Sequence, residues 1–505
     1  MILGTASTVG KSILTAAFCR IFKQDGYNVA PFKSQNMALN SYVTEDGLEM
    51  GRAQVVQAEA AMIEPHVNMN PILLKPTSDV GSQVIVQGKV FKNMKADEYF
   101  KYKTALKPLI MDSYNELAQE RDLIILEGAG SPAEINLRQD DIVNMGMAEM
   151  VDAPVILVGD IDKGGIFASL YGTIMLLEPA EQARIKGYII NKFRGDVSIL
   201  QPGIDMFYEK VKVPCLGVIP YMKMAIDDED SVTSRFEEKQ HKMVGSKSVI
   251  KIGVIHLPYM SNFTDFTVFD MEEDVQMSYV EKGDLLEFDL IIIPGSKNTI
   301  KDMHFLHDSG LTVHIHQAHR ENIPIIGICG GYQILGKSIS DPFGVETHLS
   351  FSNGLGLIPG TTTMSLKKKT ERVQGTINQI PSLILPEEAF HLPLDVEGYE
   401  IHMGITALES GTKPFITLND GRSDGAINEQ GNVFGTYLHG IFDSNVFRQN
   451  LLNSLRAIKG LTQREAQDYK EFKENEYNRL ADCVRQNVNM EKIVDIIWNQ
   501  CENLS

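Results

Sequence analysis

A chain of 505 residues that is 43% hydrophobic and 22% charged is too long for one ordinary core, and implies roughly two to four globular domains. A formal charge of −19 argues against a nucleic-acid or anionic-membrane surface, although a local loop can still hold phosphates. Five scattered cysteines (Cys19, Cys215, Cys329, Cys483 and Cys501) form no CxxC pair, which argues against a disulfide framework or zinc knuckle and points to a reducing cytoplasm; no signal peptide is read, and no apolar run reaches the about 20 residues of a bilayer span.

Only Met1-Ile2-Leu3 precede a glycine-rich turn, so the first strand reads as clipped. Gly4-Thr-Ala-Ser-Thr-Val-Gly10-Lys11-Ser12 then opens a predicted helix from Ile13 to Phe22. Strand, glycine loop and helix in that order make a phosphate cradle. Loop amides turn inward, Lys11 reaches the β/γ-phosphates, the Ser12 hydroxyl is suited to Mg²⁺, and the helix N-terminus adds partial positive charge. Thr5 stands where the usual pattern has its first glycine, and Gly4 lies one position earlier. That variant resembles the loop of dethiobiotin synthetase-like ATPases.

Further along, Lys33 follows Ala-Pro-Phe at a predicted strand end, where it can neutralise phosphate charge or simply be solvated. Asp46, in Thr44-Glu-Asp-Gly47, is a second candidate metal ligand or a plain turn aspartate. The compact apolar runs 122–126, 154–158, 187–190 and 216–219 read as buried strands of a parallel sheet. Glu127 ends the first of these runs, at the strand end that faces the ligand crevice of such sheets, and is a candidate Mg²⁺ ligand, direct or through water. Asn191, after the run GYII, is a candidate for the nucleotide base.

Residues 227–248 are polar and aperiodic and read as a connector. A second α/β rhythm then runs through 251–255, 289–293 and 324–328 to 433–437. Within it, Gly-Ile-Cys329-Gly330-Gly331 reads as strand, sharp turn and helix, a nucleophile elbow carrying a thiol that the helix N-terminus should shift toward thiolate. His439, in Tyr437-Leu-His439-Gly, follows another apolar strand and is the candidate base; His402 is the competitor. An oxyanion hole needs two donors, and the amide of Gly330 and the turn at Gly295 can supply them. From about Asn445 the chain turns charged and helical, with Ile493, Ile496, Ile497 and Trp498 near one face, a tail expected to pack on the body.

GICGGYQILG and YLHGIF are similar to class I, triad-type glutamine amidotransferases, but Ile441 stands where that class usually has a glutamate two residues after the histidine. Asp443 or a backbone carbonyl is then the expected partner of the imidazole. PFKSQNMALNSYVTEDGLEMGRAQ, MNPILLKP, GDIDKGGIFASL, INKFRGD and LPYMSNFTDF resemble stretches of the cobyric and cobyrinic acid amidotransferase family, on its adenosylcobyric acid synthase branch. The resemblance covers nearly all of the chain except the tail. It implies an α/β architecture: a P-loop ligase domain over 1–226, a linker over 227–248, a glutamine amidotransferase domain over 249–446 and a helical tail over 447–505. It also implies ATP- and glutamine-dependent amidation of the b, d, e and g carboxylates of adenosylcobyrinic acid a,c-diamide in cobalamin biosynthesis, with ATP and Mg²⁺ as cofactors. Glutamine, ATP and a corrinoid carboxylate are the expected small-molecule partners, without nucleic acid or membrane, and a homo-oligomer stays open. Three alternatives remain: an a,c-diamide synthase acting on other carboxylates, a ligase acting on a cell-wall precursor, and a nucleotide-switch regulator with an inert amidotransferase-like domain.

Overall fold

The computed structural model describes residues 1–78, 81–226, 249–379 and 392–501. The connector expected over 227–248 lies outside the described residues. The chain divides into two compact units, Met1–Ala38 with Met50–Ser231 and Lys473–Ser505, and Leu39–Glu49 with Val232–Phe472. This grouping differs from the sequence-drawn boundaries at two places. Leu39–Glu49 joins the second unit although it comes from the N-terminal half, and the helical tail is split between the units.

In the first unit, β1 (Ile2–Gly4), β2 (Val29–Phe32), β3 (Leu123–Leu126), β4 (Val155–Asp160), β5 (Ile185–Phe193) and β6 (Cys215–Pro220) are all parallel. β1, β4, β5 and β6 lie side by side in that order, β2 pairs with β3, and a single parallel bridge from Ile2 to Glu127 joins the two sets. Each predicted apolar run became a strand, as expected of parallel strands whose two faces are both covered. The helix α1 (Lys11–Gln24) buries Leu14, Ala17, Phe18 and Ile21, the i, i+3, i+4, i+7 stripe of an amphipathic helix. Each large side chain in it contributes about 1.5–3 kcal/mol by leaving water. The tail helix Met490–Cys501 adds Ile493, with Ile496 and Ile497 packed beside it, to this same core. Trp498 instead stays partly exposed near Tyr27. An ion pair of Arg485 with Asp25 (2.8 Å) and a hydrogen bond from the Tyr477 hydroxyl to Glu59 (2.6 Å) pin the tail.

In the second unit β7 (Ile250–Ile255), β8 (Val275–Val280), β9 (Leu290–Ile293), β10 (Ile325–Ile328), β11 (Ala426–Ile427) and β12 (Val433–Thr436) form one sheet in the order β8-β7-β9-β10-β12-β11. All its pairs are parallel except the β11–β12 edge. A long antiparallel pair, Gly360–Ile377 with Leu394–Leu408, was not foreseen, because its alternating mixture of Thr, Lys and Glu hides a strand that is wet on one face. The helix Asn445–Ile458 is tied to this unit by fully buried Arg448 and Arg456, which pair with Glu272 and Asp274. No helix among the described residues is long and apolar enough to cross a membrane.

Candidate active sites

The first site lies at the C-terminal ends of β1 and β3, where the sequence placed the phosphate loop. Gly10 caps α1 with φ +98°, and a Cβ there would come within 2.2 Å of the Asn191 amide nitrogen, so no other residue fits without rearrangement. Asn191 donates to Val9 O at 2.9 Å and therefore braces the loop rather than facing it from a distance. Thr5 is tied by its amide to Val158 O. Lys11 donates to Ala6 O (2.9 Å) and Gly130 O (3.1 Å). Ser12 Oγ donates to Glu127 Oε1 at 2.7 Å, Lys33 Nζ reaches the same oxygen at 3.1 Å, and Gln57 Nε2 donates to Glu127 Oε2 at 2.5 Å. Burial alone would favour the neutral acid of Glu127, but Lys33 and the Ser12 and Gln57 hydrogen bonds outweigh it and hold the carboxyl below its usual range.

Thr5, Gly10, Lys11, Ser12, Lys33, Glu127 and Asn191 thus share one neighbourhood. Asp46 is exposed on the turn Thr44–Gly47, which groups with the second unit. The sequence reading missed Gln57, as well as Asp160, which ends β4 and pairs with Lys192 at 2.9 Å. Among the described residues no group of three or more His, Cys, Asp or Glu side chains is placed to hold a metal ion. The oxygens of Ser12 and Glu127 nonetheless suit Mg²⁺, a hard cation that keeps several waters and shares its shell with phosphates.

The second site is built from four distant stretches of one unit. Cys329 follows β10 with φ +51°, ψ −107°, a conformation unusual for a residue with a side chain, and caps the short helix Gly330–Leu335. Gly330 has to be glycine, because a Cβ there would lie 2.6 Å from Ser296 N; the sharp turn thereby packs against the Gly295–Ser296 strand. A Cβ on Gly295 would lie 3.2 Å from His439 Cε1, so Gly295, Gly330, Cys329 and His439 do converge. Ser296 Oγ donates to Asp302 Oδ2 at 2.5 Å, and Asp302 Oδ1 accepts from Tyr259 N at 3.1 Å, which fixes that strand. Burial pushes the Asp302 carboxyl up to about 7 despite these bonds.

The imidazole partner is Asp265 rather than Asp443 or a carbonyl. His439 Nδ1 is 2.6 Å from Asp265 Oδ2, and Gly440 N donates to Asp265 Oδ1 at 3.1 Å. The other ring nitrogen is left for Cys329, whose Sγ donates to Ile401 O at 3.7 Å and which lies close enough to influence the imidazole. Burial disfavours the imidazolium, but the charges of Asp265 and Cys329 and their hydrogen bonds prevail, and His439 is pushed up to about 10. The Asp265 carboxylate thus favours the protonated imidazole beside the sulfur. His402, the competitor, pairs instead with Gly404 O at 2.8 Å and stacks on Tyr437. Asp265 lies 174 positions before His439, beyond any spacing rule; its only signal was its place in the stretch LPYMSNFTDF.

Two family models match the chain. Residues 1–231 match the CobQ/CobB/MinD/ParA nucleotide binding domain, and residues 251–447 the CobB/CobQ-like glutamine amidotransferase domain. Among curated relatives, the chain is 53% identical to the cobyric acid synthase of Clostridium botulinum over 98% of this chain and 99% of that one. It is likewise 53% identical to the cobyric acid synthase of Alkaliphilus metalliredigens, over 98% and 99%. With that of Clostridium acetobutylicum the identity is 52%, over 98% of each.

Proposed function

The chain belongs to the cobyric acid synthase family, and from that premise we propose that it uses ATP and glutamine to amidate the b, d, e and g carboxylates of adenosylcobyrinic acid a,c-diamide. What carries the reading is that one chain holds both a phosphate loop and a cysteine elbow with a buried His439–Asp265 pair. A carboxylate has a poor leaving group and does not condense with ammonia at neutral pH. Phosphoryl transfer from ATP makes it an acyl phosphate, with Lys11 and the loop amides stabilising the charge on the transferring group. Ser12 and Glu127 would hold Mg²⁺, which when bound neutralises phosphate charge.

In the second site the Cys329 sulfur attacks the side-chain amide carbon of glutamine, and the Gly330 and Gly295 amides receive the developing oxyanion. His439, held by Asp265, gives its proton to the departing ammonia, leaving a thioester. The neutral imidazole then takes a proton from water as the hydroxyl attacks; glutamate leaves and the thiol is restored. Ammonia displaces phosphate from the acyl phosphate and forms the amide.

Cys329→Ser tests the division of labour. It should lower glutamine-dependent amidation by more than about 10³-fold while amidation with ammonium salts persists, read by product mass from corrinoid, ATP and Mg²⁺. A serine variant that keeps its glutamine-dependent rate overturns the assignment. A product in which two carboxyls of a cobyrinic acid precursor have become amides, each lowering the mass by the exchange of OH for NH₂, with no reaction on the diamide, would select the a,c-diamide synthase alternative.

A further inference from the structure

The His439–Asp265 pair is not held by the C-terminal half of the sequence alone. Asp265 is the third residue of the 3₁₀ segment Phe263–Met271, whose cap Asn262 adopts a left-handed backbone, φ +52°. Two reciprocal side-chain bonds clamp that cap. Phe263 N donates to Asn40 Oδ1 at 3.0 Å, and Ser41 N donates to Asn262 Oδ1 at 3.1 Å. Asn40, Ser41 and Asn262 are each at most 2% exposed, so water does not replace either bond when it is lost.

The same short segment grips the opposite side of the imidazole. Tyr399 stacks on His439 (centroids 5.3 Å apart, planes at 19°), and the two residues exchange backbone hydrogen bonds. The Tyr399 hydroxyl donates to Ser41 O at 3.2 Å, its ring lies against Tyr42, and Arg372 Nε donates to Val43 O at 3.1 Å. A buried ion pair of Glu49 with Lys368 closes the far end.

We propose that Asn40, with Ser41 and Asn262, is a positioning element for glutamine hydrolysis: residues 39–49 set the placement of Asp265 and Tyr399, and through them the orientation of His439. The residues touch no reacting atom. They act because the Asp265–His439 bond is buried and short, so a displacement of the Asp265 turn by a fraction of an ångström changes where the second ring nitrogen points. Misplacement on that scale costs reaction rate more than substrate affinity.

The inference rests on the glutaminase reading of Cys329, and the experiment separates the two. Glutamate release from glutamine is measured on the full chain for the wild type, Cys329→Ser, Asn40→Ala and Asn262→Gly. The glycine variant keeps the left-handed backbone and removes only the acceptor for Ser41 N. Both asparagine variants should lower kcat about 10- to 100-fold with KM for glutamine within about threefold, and their combination should fall no further than the worse single variant. Amidation supported by ammonium salts, followed in parallel, reports that the chain is folded. If Asn40→Ala does not fold, Asn262→Gly alone decides. A kcat within twofold of wild type, or a loss expressed in KM, overturns the proposal while an inactive Cys329→Ser leaves the glutaminase reading standing. Glutamate release that survives in Cys329→Ser removes that reading, and this proposal with it.

Discussion

The two sites differ in what they have already satisfied. In the phosphate loop every functional group is engaged by the protein itself: Lys11 by two carbonyls, Ser12 and Lys33 by Glu127. A nucleotide has to take over several of these bonds, so this site works by exchange of partners. In the thiol site the key bond, His439 to Asp265, is made within the protein and is not given up to substrate. That site works by preorganisation, and the strain at Cys329 is held by the packing of Gly330 against Ser296. Deleting a group that serves by exchange should remove phosphate binding and chemistry together. Deleting an internal support should leave substrate binding intact and remove rate.

The largest break in that comparison is expected from Lys11→Ala. The ammonium is the cation of the loop itself, and no hydrophobic group substitutes for it against phosphate charge. Amidation should fall by about 10³-fold or more with glutamine and with ammonium salts alike, read as corrinoid product formed per minute. If ammonium-dependent amidation survives, the loop does not serve the phosphoryl step.

Asp265→Ala sharpens the comparison from the other side. Without the carboxylate the imidazole loses both its orientation and the charge that keeps it protonated while buried. Glutamate release should fall by about 10²- to 10⁴-fold in kcat, with KM for glutamine little changed and ammonium-dependent amidation retained. A loss confined to KM would mean that Asp265 shapes the glutamine pocket instead.

The same contrast explains what the sequence made legible. The phosphate loop is nine consecutive residues, Gly4 to Ser12, so its chemistry is written in one place, and the strands beside it are apolar runs with turn residues at their ends. The elbow at Cys329 is equally local, and His439 was found because it follows an apolar strand. What escaped was long-range and polar. Asp265 belongs to a 3₁₀ segment with no amphipathic period, and the position two after His439, where an acid was looked for, is a buried isoleucine packed in the core. Asn191, read as a candidate for the nucleotide base because it follows the run GYII, also donates to Val9 O, a contact across 182 positions that no local pattern encodes. Leu39–Glu49 was assigned with its sequence neighbours, since nothing in its composition reveals that Tyr399, Arg372 and Lys368 are its partners.

The smallest expected effect is on stability, and its sign follows from the same histidine. His439 titrates at about 10 in the folded chain and near 6.5 when unfolded. A group whose folded value is raised stabilises the fold fully below the unfolded value, and that contribution disappears as pH rises through the folded one. The stabilisation from the charged pair is therefore complete below about pH 6.5 and declines steadily to about pH 10. Replacing His439 by glutamine removes the titration but keeps a polar side chain of similar reach. The difference in Tm between wild type and His439→Gln should be constant at acidic pH and shrink by a few degrees between pH 7 and 10. Glu127 does not cancel this, because its lowered carboxyl loses its contribution only as pH falls through the acidic range. A Tm difference independent of pH over that window would mean that the buried imidazole is neutral, and that the cation beside Cys329 forms only once glutamine is bound.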